Sequence, residues 1–295
     1  MMKKRQLKET LTGYLFVLPN LIGFGVFTCF GVLFSLTVSF TDWDMLSPLS
    51  EIRFVGLTNF LSAFQDPWFL SSISNNLFFI LFIPLQMLLA LGSAVLLNGK
   101  FPGNLLVRNT IYLPYITSFV GISLIWFQLF HPTMGVLNEF LMFLGIDNPP
   151  KWLGSSTWVK PAIILMLTWQ GLGYNMLLYL AGLQSVPKEM YEAASVDGAS
   201  GFRQFVYITI PMTSSVSFFI LIISVINSFM MWSNIQIMTG GGPGTASTVI
   251  GFYIYKTAFV HTQMGYASAM AWMLFLIILI ITLVQWYGQK KWVNY

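Results

Sequence analysis

The chain has 295 residues, 56% of them hydrophobic and only 8% charged, with a formal net charge of +4. Soluble domains carry about 25% charged residues, so this composition excludes the pair of water-facing domains that the length alone would allow. A single cysteine, Cys29, excludes a disulfide framework and a thiolate metal cluster, and the two distant histidines, His131 and His261, argue against a His-rich metal site.

The chain opens on Met1-Met2-Lys3-Lys4-Arg5, followed by an apolar run over residues 11–40. That run is far longer than the roughly 7–15 residues of a secretory h-region and shows no convincing small-residue cleavage site, so it reads as a retained first span. Five more runs follow at 77–97, 111–130, 162–183, 212–238 and 267–287. Each has about the 20 apolar residues that a helix needs to cross some 30 Å of hydrocarbon. None contains Asp, Glu, Lys or Arg. The runs are continuous, whereas barrel strands would alternate over about 10 residues. The expected fold is therefore all-α, a polytopic membrane protein with six transmembrane helices. Its permease domain would span 11–287, between tails at 1–10 and 288–295.

Orientation follows from Lys and Arg. With the N-terminus inside, the inside segments hold Lys3, Lys4, Arg5, Lys8, Lys100, Arg108, Lys188, Arg203, Lys290 and Lys291. The outside segments hold Arg53, Lys151, Lys160 and Lys256, which makes 10 against 4 and accounts for all 14. Both termini are expected in the cytoplasm. The outside loops are long: 41–76 holds Asp42, Asp44, Glu51 and Asp66, and 131–161 holds Asn138, Asp147, Pro149, Pro150 and Trp152. The third, 239–266, carries the turn signal Gly240-Gly241-Gly242-Pro243-Gly244.

Polar groups inside the spans are neutral: Asn20, Gln86, Gln170, Asn175, Asn227, Ser228, Ser233, Asn234 and Gln236. Carriers driven by protons or sodium usually bury ionisable groups, so their lack here argues against that class. Neutral amides and hydroxyls suit a hydroxyl-rich solute, and they equally suit hydrogen bonding between helices. The chain has no G-x-x-x-x-G-K-[ST] phosphate loop, so energy would come from a separate partner or the protein is a passive pore. It offers no H-E-x-x-H, paired carboxylates or Ser-Lys pair at depth, so it is not expected to be an enzyme.

The inside segment at 184–211 is the most informative. Its pattern is a short helix, a turn and a second helix. Ser185 is expected as N-cap with Pro187 in the first turn, and Glu189 and Glu192 complement the helix dipole. Gly198 is placed to end the helix, and Gly201 adds a second break. Mixed charge argues against a helix lying on lipid headgroups.

Glu192-Ala193-Ala194, Gly198, Ile208 and Pro211 stand at the spacing of the EAA signature of binding-protein-dependent ABC importer permeases. Ile210 replaces the usual Leu, a mild departure. Elsewhere the chain resembles the maltose-type carbohydrate branch. The matching pieces are Tyr14-Leu15-Phe16-Val17-Leu18-Pro19, Ser39-Phe40-Thr41-Asp42-Trp43, residues 54–60 and Thr239-Gly240-Gly241-Gly242-Pro243. It resembles the first subunit of such a pair, in a shorter six-span, type I importer-like version.

That resemblance implies an inner-membrane location in a bacterium or archaeon. It also implies a second related permease, two ATPase subunits carrying ATP and Mg, and an extracytoplasmic sugar-binding protein, with no cofactor in this chain and no nucleic-acid partner. Glu192, Ala193, Ala194, Asp197 and Gly198 would lie on the coupling helix seated in an ATPase cleft. The 169–175 segment resembles the piece that carries sugar contacts in the maltose-type relatives. Gly171 would let a ligand approach backbone and Tyr174 would stack on a sugar face. Gln170, Gly171, Tyr174, Trp232 and Asn234 are the expected path residues, with helix packing as the plainer reading.

Overall fold

The computed structural model describes residues 2–99 and 101–293. Lys100, one of the inside charges, and the tail residues Met1, Asn294 and Tyr295 lie outside the described residues. The chain divides into two compact units, one of Met1–Gln65 with Ile254–Met273 and one of Asp66–Tyr253 with Leu274–Tyr295.

In the first unit, α1 (Met2–Gly23) runs through a π-helical turn, Phe24–Cys29, into α2 (Phe30–Val38). Together they give an apolar helix over Thr10–Val38 that is exposed along nearly its whole length, Phe27 to 84%. The loop after α2 is closed by backbone bonds, Val55 N–H to the Phe40 carbonyl at 2.8 Å and Met45 N–H to the Thr262 carbonyl at 3.0 Å. The Asn59 amide donates to the carbonyls of Ser39 and Thr41, at 2.9 and 2.8 Å. Hydrogen bonds from the Ser47 side chain and backbone hold the half-buried Asp44 carboxyl below the usual carboxylate value. α3 (Thr58–Gln65) closes this stretch.

The second unit begins with α4 (Pro67–Phe79), where Asp66 accepts from Trp68 N–H at 2.9 Å as N-cap and Pro67 opens the first turn. A short break leads to α5 (Phe82–Leu97), which carries Pro84 in its first turn. Proline offers no N–H to the Ile80 carbonyl and crowds it, which sets the break there. Next come α6 (Asn104–Ile116) and α7 (Phe119–Leu129), then α8 (Val136–Phe143) in the loop and the long α9 (Val159–Gln184). After α10 (Lys188–Val196) and α11 (Gly201–Gln204), a π-helical turn, Phe205–Thr209, joins α12 (Ile210–Met212). α13 (Ser214–Met230), α14 (Ser233–Met238) and α15 (Ile250–Tyr255) follow. α16 (Met264–Gly288) passes from the first unit into the second.

Among the described residues, four helices are long and apolar enough to span a membrane, and the number reaches six when each of two bent pairs counts as one span. The expectation of one straight helix at 111–130 is corrected: α6 and α7 meet at 97°. Thr117 and Ser118 are extended there (ψ 144° and 127°), with the Thr117 hydroxyl bonded back to the Leu113 carbonyl at 2.8 Å. The run expected at 212–238 is likewise α13 and α14, interrupted at Met231 and Trp232. A further bend of 63° lies at its N-terminal end, between Gly201–Met212 and α13.

α9 organises the second unit. Met176, Tyr179, Leu180 and Leu183 pack on Ala90, Leu91, Ala94 and Leu97 of α5 and on Ile220 of α13, all buried. Small residues set how closely helices approach in a bilayer. At Gly173 a β-carbon would run into the backbone of Ile111 and Tyr112, so α6 lies directly on α9. At Gly182 it would stand 2.8 Å from Val216 Cγ2 on α13.

Gly173→Val should therefore force α6 off α9 and cost about 1–3 kcal/mol, the range for overpacking. Gly92→Ala, where a β-carbon meets nothing within 4 Å, should cost far less. Unfolding of the detergent-solubilised protein measures both, and equal midpoints for the two variants would contradict this packing.

Candidate functional site

Two regions gather the residues singled out in the sequence. The first is α10. Its backbone ends in a Schellman closure: Ala199 N–H reaches the Ala194 carbonyl at 2.8 Å and Gly198 N–H the Ser195 carbonyl at 3.1 Å. That geometry needs a left-handed residue, and Gly198 has φ +76°. Ser200 then starts α11 by accepting from Arg203 N–H at 3.4 Å, so Gly201 opens the second helix. The N-cap expected at Ser185 is not there. Pro187 occupies that position without a side-chain cap, and the Ser185 hydroxyl bonds back to the Gly182 carbonyl at 2.7 Å, closing α9.

No residue of α10 is buried. Glu192, Ala193, Asp197 and Gly198 are exposed, Ala194 is half-buried, and Val196 is 88% exposed. The helix is joined to a packed unit yet presents small, acidic and apolar groups outward. Two side-chain bonds hold it to the 201–212 segment and its lead-in: the Tyr191 and Thr209 hydroxyls lie 3.0 Å apart, and the Gln204 amide donates to the Ser195 hydroxyl at 2.9 Å.

The second region is a cleft of about 410 Å³ between α5, α6, α9 and α13. Gln170, Gly171 and Tyr174 of α9 line it, facing Tyr115, Thr117 and Ser118 at the α6–α7 bend and Ser224 and Asn227 of α13. Tyr174 stacks on Tyr115 with ring centroids 4.5 Å apart and planes 11° from parallel. Gln86 reaches in from α5 with both ends of its amide bonded, Nε2 to the Leu167 carbonyl at 2.9 Å and Oε1 accepting from Asn175 at 2.8 Å. The Gln86 amide fills the space beside Gly171, where a β-carbon would strike it. That glycine admits a neighbouring helix's side chain.

Trp232 and Asn234 do not line the cleft. Trp232 stands at the break between α13 and α14. Asn234 is buried behind Gln170, its amide 3.4 Å from Gln170 Oε1 and 3.6 Å from Met166 Sδ. Tyr115 and the Thr117-Ser118 pair were missed in the sequence. A polar pair following Pro114 inside an apolar run was the available signal, but it gives no direction for the bend. Apart from tyrosine hydroxyls the lining holds no ionisable side chain. It presents amides, hydroxyls and a flat aromatic face, which suit an uncharged polyhydroxylated solute.

The family described as "Binding-protein-dependent transport system inner membrane component" matches residues 78–292. The lactose transport system permease protein LacF of Rhizobium radiobacter is 32% identical, over 95% of this chain and 95% of its own. The sn-glycerol-3-phosphate transport system permease protein UgpA of Yersinia pestis is 31% identical, over 96% of this chain and 95% of its own. Among solved structures, a chain of a bacterial ABC transporter involved in import of the acidic polysaccharide alginate aligns with a TM-score of 0.79. It is 24% identical and the match covers 100% of both chains, a likeness of fold.

The Schellman closure is open to test. Gly198→Ala would place a β-carbon in the left-handed region at roughly 1–2 kcal/mol. Amide exchange at Gly198 and Ala199 should accelerate about tenfold, read by hydrogen–deuterium exchange. Unchanged protection would mean that the turn does not need glycine.

Proposed function

The chain belongs to the family of binding-protein-dependent transport system inner membrane components, and from that premise we propose that it is one of two related permease subunits of an ATP-driven importer for a neutral sugar or oligosaccharide. A second permease completes the pore, two ATPase subunits supply the energy with their own ATP and Mg, and an extracytoplasmic binding protein delivers the solute. The 10-against-4 distribution of Lys and Arg supports a cytoplasmic location for both termini. α10, with Glu192, Ala193, Ala194, Asp197 and Gly198, is then the coupling helix that enters an ATPase cleft.

The observation that carries the solute class is the uncharged lining around Tyr174 and Tyr115. Relatives at nearly equal identity are named for lactose and for glycerol phosphate, so likeness alone does not choose between them. A phosphorylated solute would call for Arg or Lys at the site. Tyr174 supplies the flat face for a sugar ring, Gln170 and Asn227 supply amide bonds to its hydroxyls, and Asn234 orients Gln170 from behind.

Uptake by cells carrying the complete transporter tests this directly, with a panel of labelled neutral sugars and glycerol phosphate. A neutral sugar should be taken up and glycerol phosphate excluded. Tyr174→Ala removes a stacking face and a hydroxyl worth about 1–3 kcal/mol together, so uptake should fall about 5- to 100-fold. Uptake of glycerol phosphate alone, or full sugar uptake by the variant, would contradict the assignment.

A further inference from the structure

The proposed function requires movement of α10 to reach the spans, and the structure contains a specific linkage for it. α10 is a short exposed helix tethered to the next segment by few contacts, of which two are side-chain hydrogen bonds. Tyr191, on the inner side of α10, meets Thr209 hydroxyl to hydroxyl at 3.0 Å. Thr209 is only 4% exposed and closes the π-helical turn Phe205–Thr209. Its carbonyl takes both the N–H and the hydroxyl of Thr213, at 3.0 and 2.8 Å. Thr213 is fully buried and stands where the chain bends by 63° into α13.

The place of the bend is itself fixed. Thr213 and Val216 face Gly182, where a β-carbon would stand 3.9 and 2.8 Å from their methyl groups. One turn further along α13, the Tyr179 hydroxyl donates to the Ser217 hydroxyl at 3.0 Å. The segment Gly201–Met212 is thus bonded to α10 at both Gln204 and Thr209, and just beyond Thr209 the chain turns over a notch in α9. π-Helical turns are frequent at functional sites.

We propose that Gly201–Met212 is a lever, that the Tyr191–Thr209 hydrogen bond is the strut that locks α10 to it, and that Thr213 on Gly182 is the pivot through which motion of α10 tilts α13. Tyr191 and Thr209 are positioning residues: neither lines the cleft, and both act on it through α13. α13 carries Ser224 and Asn227 of the cleft, so its tilt opens or closes the lining opposite Tyr174. This inference rests on the importer reading and adds the route by which that reading would work.

The test uses the complete complex, captured through a tag on this chain and placed in lipid vesicles, with nitroxide labels at Leu89 on α5 and Phe219 on α13. Both sites are about half exposed, at 47% and 48%. Mg-ATP with vanadate is the probe, the label-to-label distance is the readout, and the ATPase content of each capture is measured alongside. The wild type should show a distance shift on trapping. Tyr191→Phe and Thr209→Val should each cut the shifted population about three- to tenfold, the span of one hydrogen bond. Thr209→Ser, which keeps the hydroxyl, should retain the shift. The double variant Tyr191→Phe with Thr209→Val should be no worse than either single one, as for two ends of one bond. A full shift in Tyr191→Phe, or additive losses in the double variant, would overturn the strut while leaving the importer reading in place. Absence of any ATPase from the wild-type capture would instead overturn the importer reading, and the strut with it.

Discussion

In hydrocarbon no water satisfies a peptide group, so every carbonyl and N–H freed by a bend must find a partner inside the protein. The irregular parts of this chain follow from that constraint. α13 stops at Met230, and the Asn76 amide donates to the Ser228 carbonyl at 2.9 Å while its oxygen accepts from Ile250 N–H at 2.8 Å. Its neighbour Asn75 takes the carbonyls of Thr245 and Thr248, at 2.7 and 2.8 Å. Two asparagines on α4 thereby hold a helix end and a glycine-rich loop. Such bonds are worth only about 0.6–2 kcal/mol each in a membrane. Leaving a buried group unpaired costs more, about 1–3 kcal/mol.

Gln86 does for the cleft what Asn76 does for the loop. It bonds the α9 backbone and Asn175 at once, and its body occupies the notch at Gly171. The cleft wall is consequently held by satisfied amides. The groups facing the cavity include Gln170, Tyr174, Tyr115 and Asn227. The same economy explains why α10 lies bare. It comes after the last turn of α9, outside the apolar runs, where its polar backbone and acidic side chains have no need of the core.

The number and positions of the apolar runs were legible because hydropathy fixes them without reference to partners. The helix, turn and second helix at 184–211 were legible for a similar reason: Gly198 marks a left-handed closure that almost any other residue would resist, and the structure gives it φ +76°. The bends were not legible. The 97° turn at Thr117-Ser118 depends on what faces those hydroxyls, and hydropathy counts them as minor interruptions. Ser185 failed as an N-cap because the Gly182 carbonyl, three residues before it, was a closer partner than any amide of α10. Asn234 and Trp232 were expected in the lining because they are polar or aromatic in a span. The break between α13 and α14 turns Asn234 onto Gln170 and leaves Trp232 outside the cleft.

The proposed coupling role depends on which molecule covers the outward face of α10. Val196 is the residue to label, since it is 88% exposed and one turn from Glu192. A photo-crosslinking reagent attached to a cysteine at Val196, in cells carrying the complete transporter, should join this chain to an ATPase subunit, and an impermeant thiol reagent added outside should not reach that cysteine. Crosslinks confined to lipid or to the second permease, or labelling from outside, would contradict the assignment of α10 as the coupling helix.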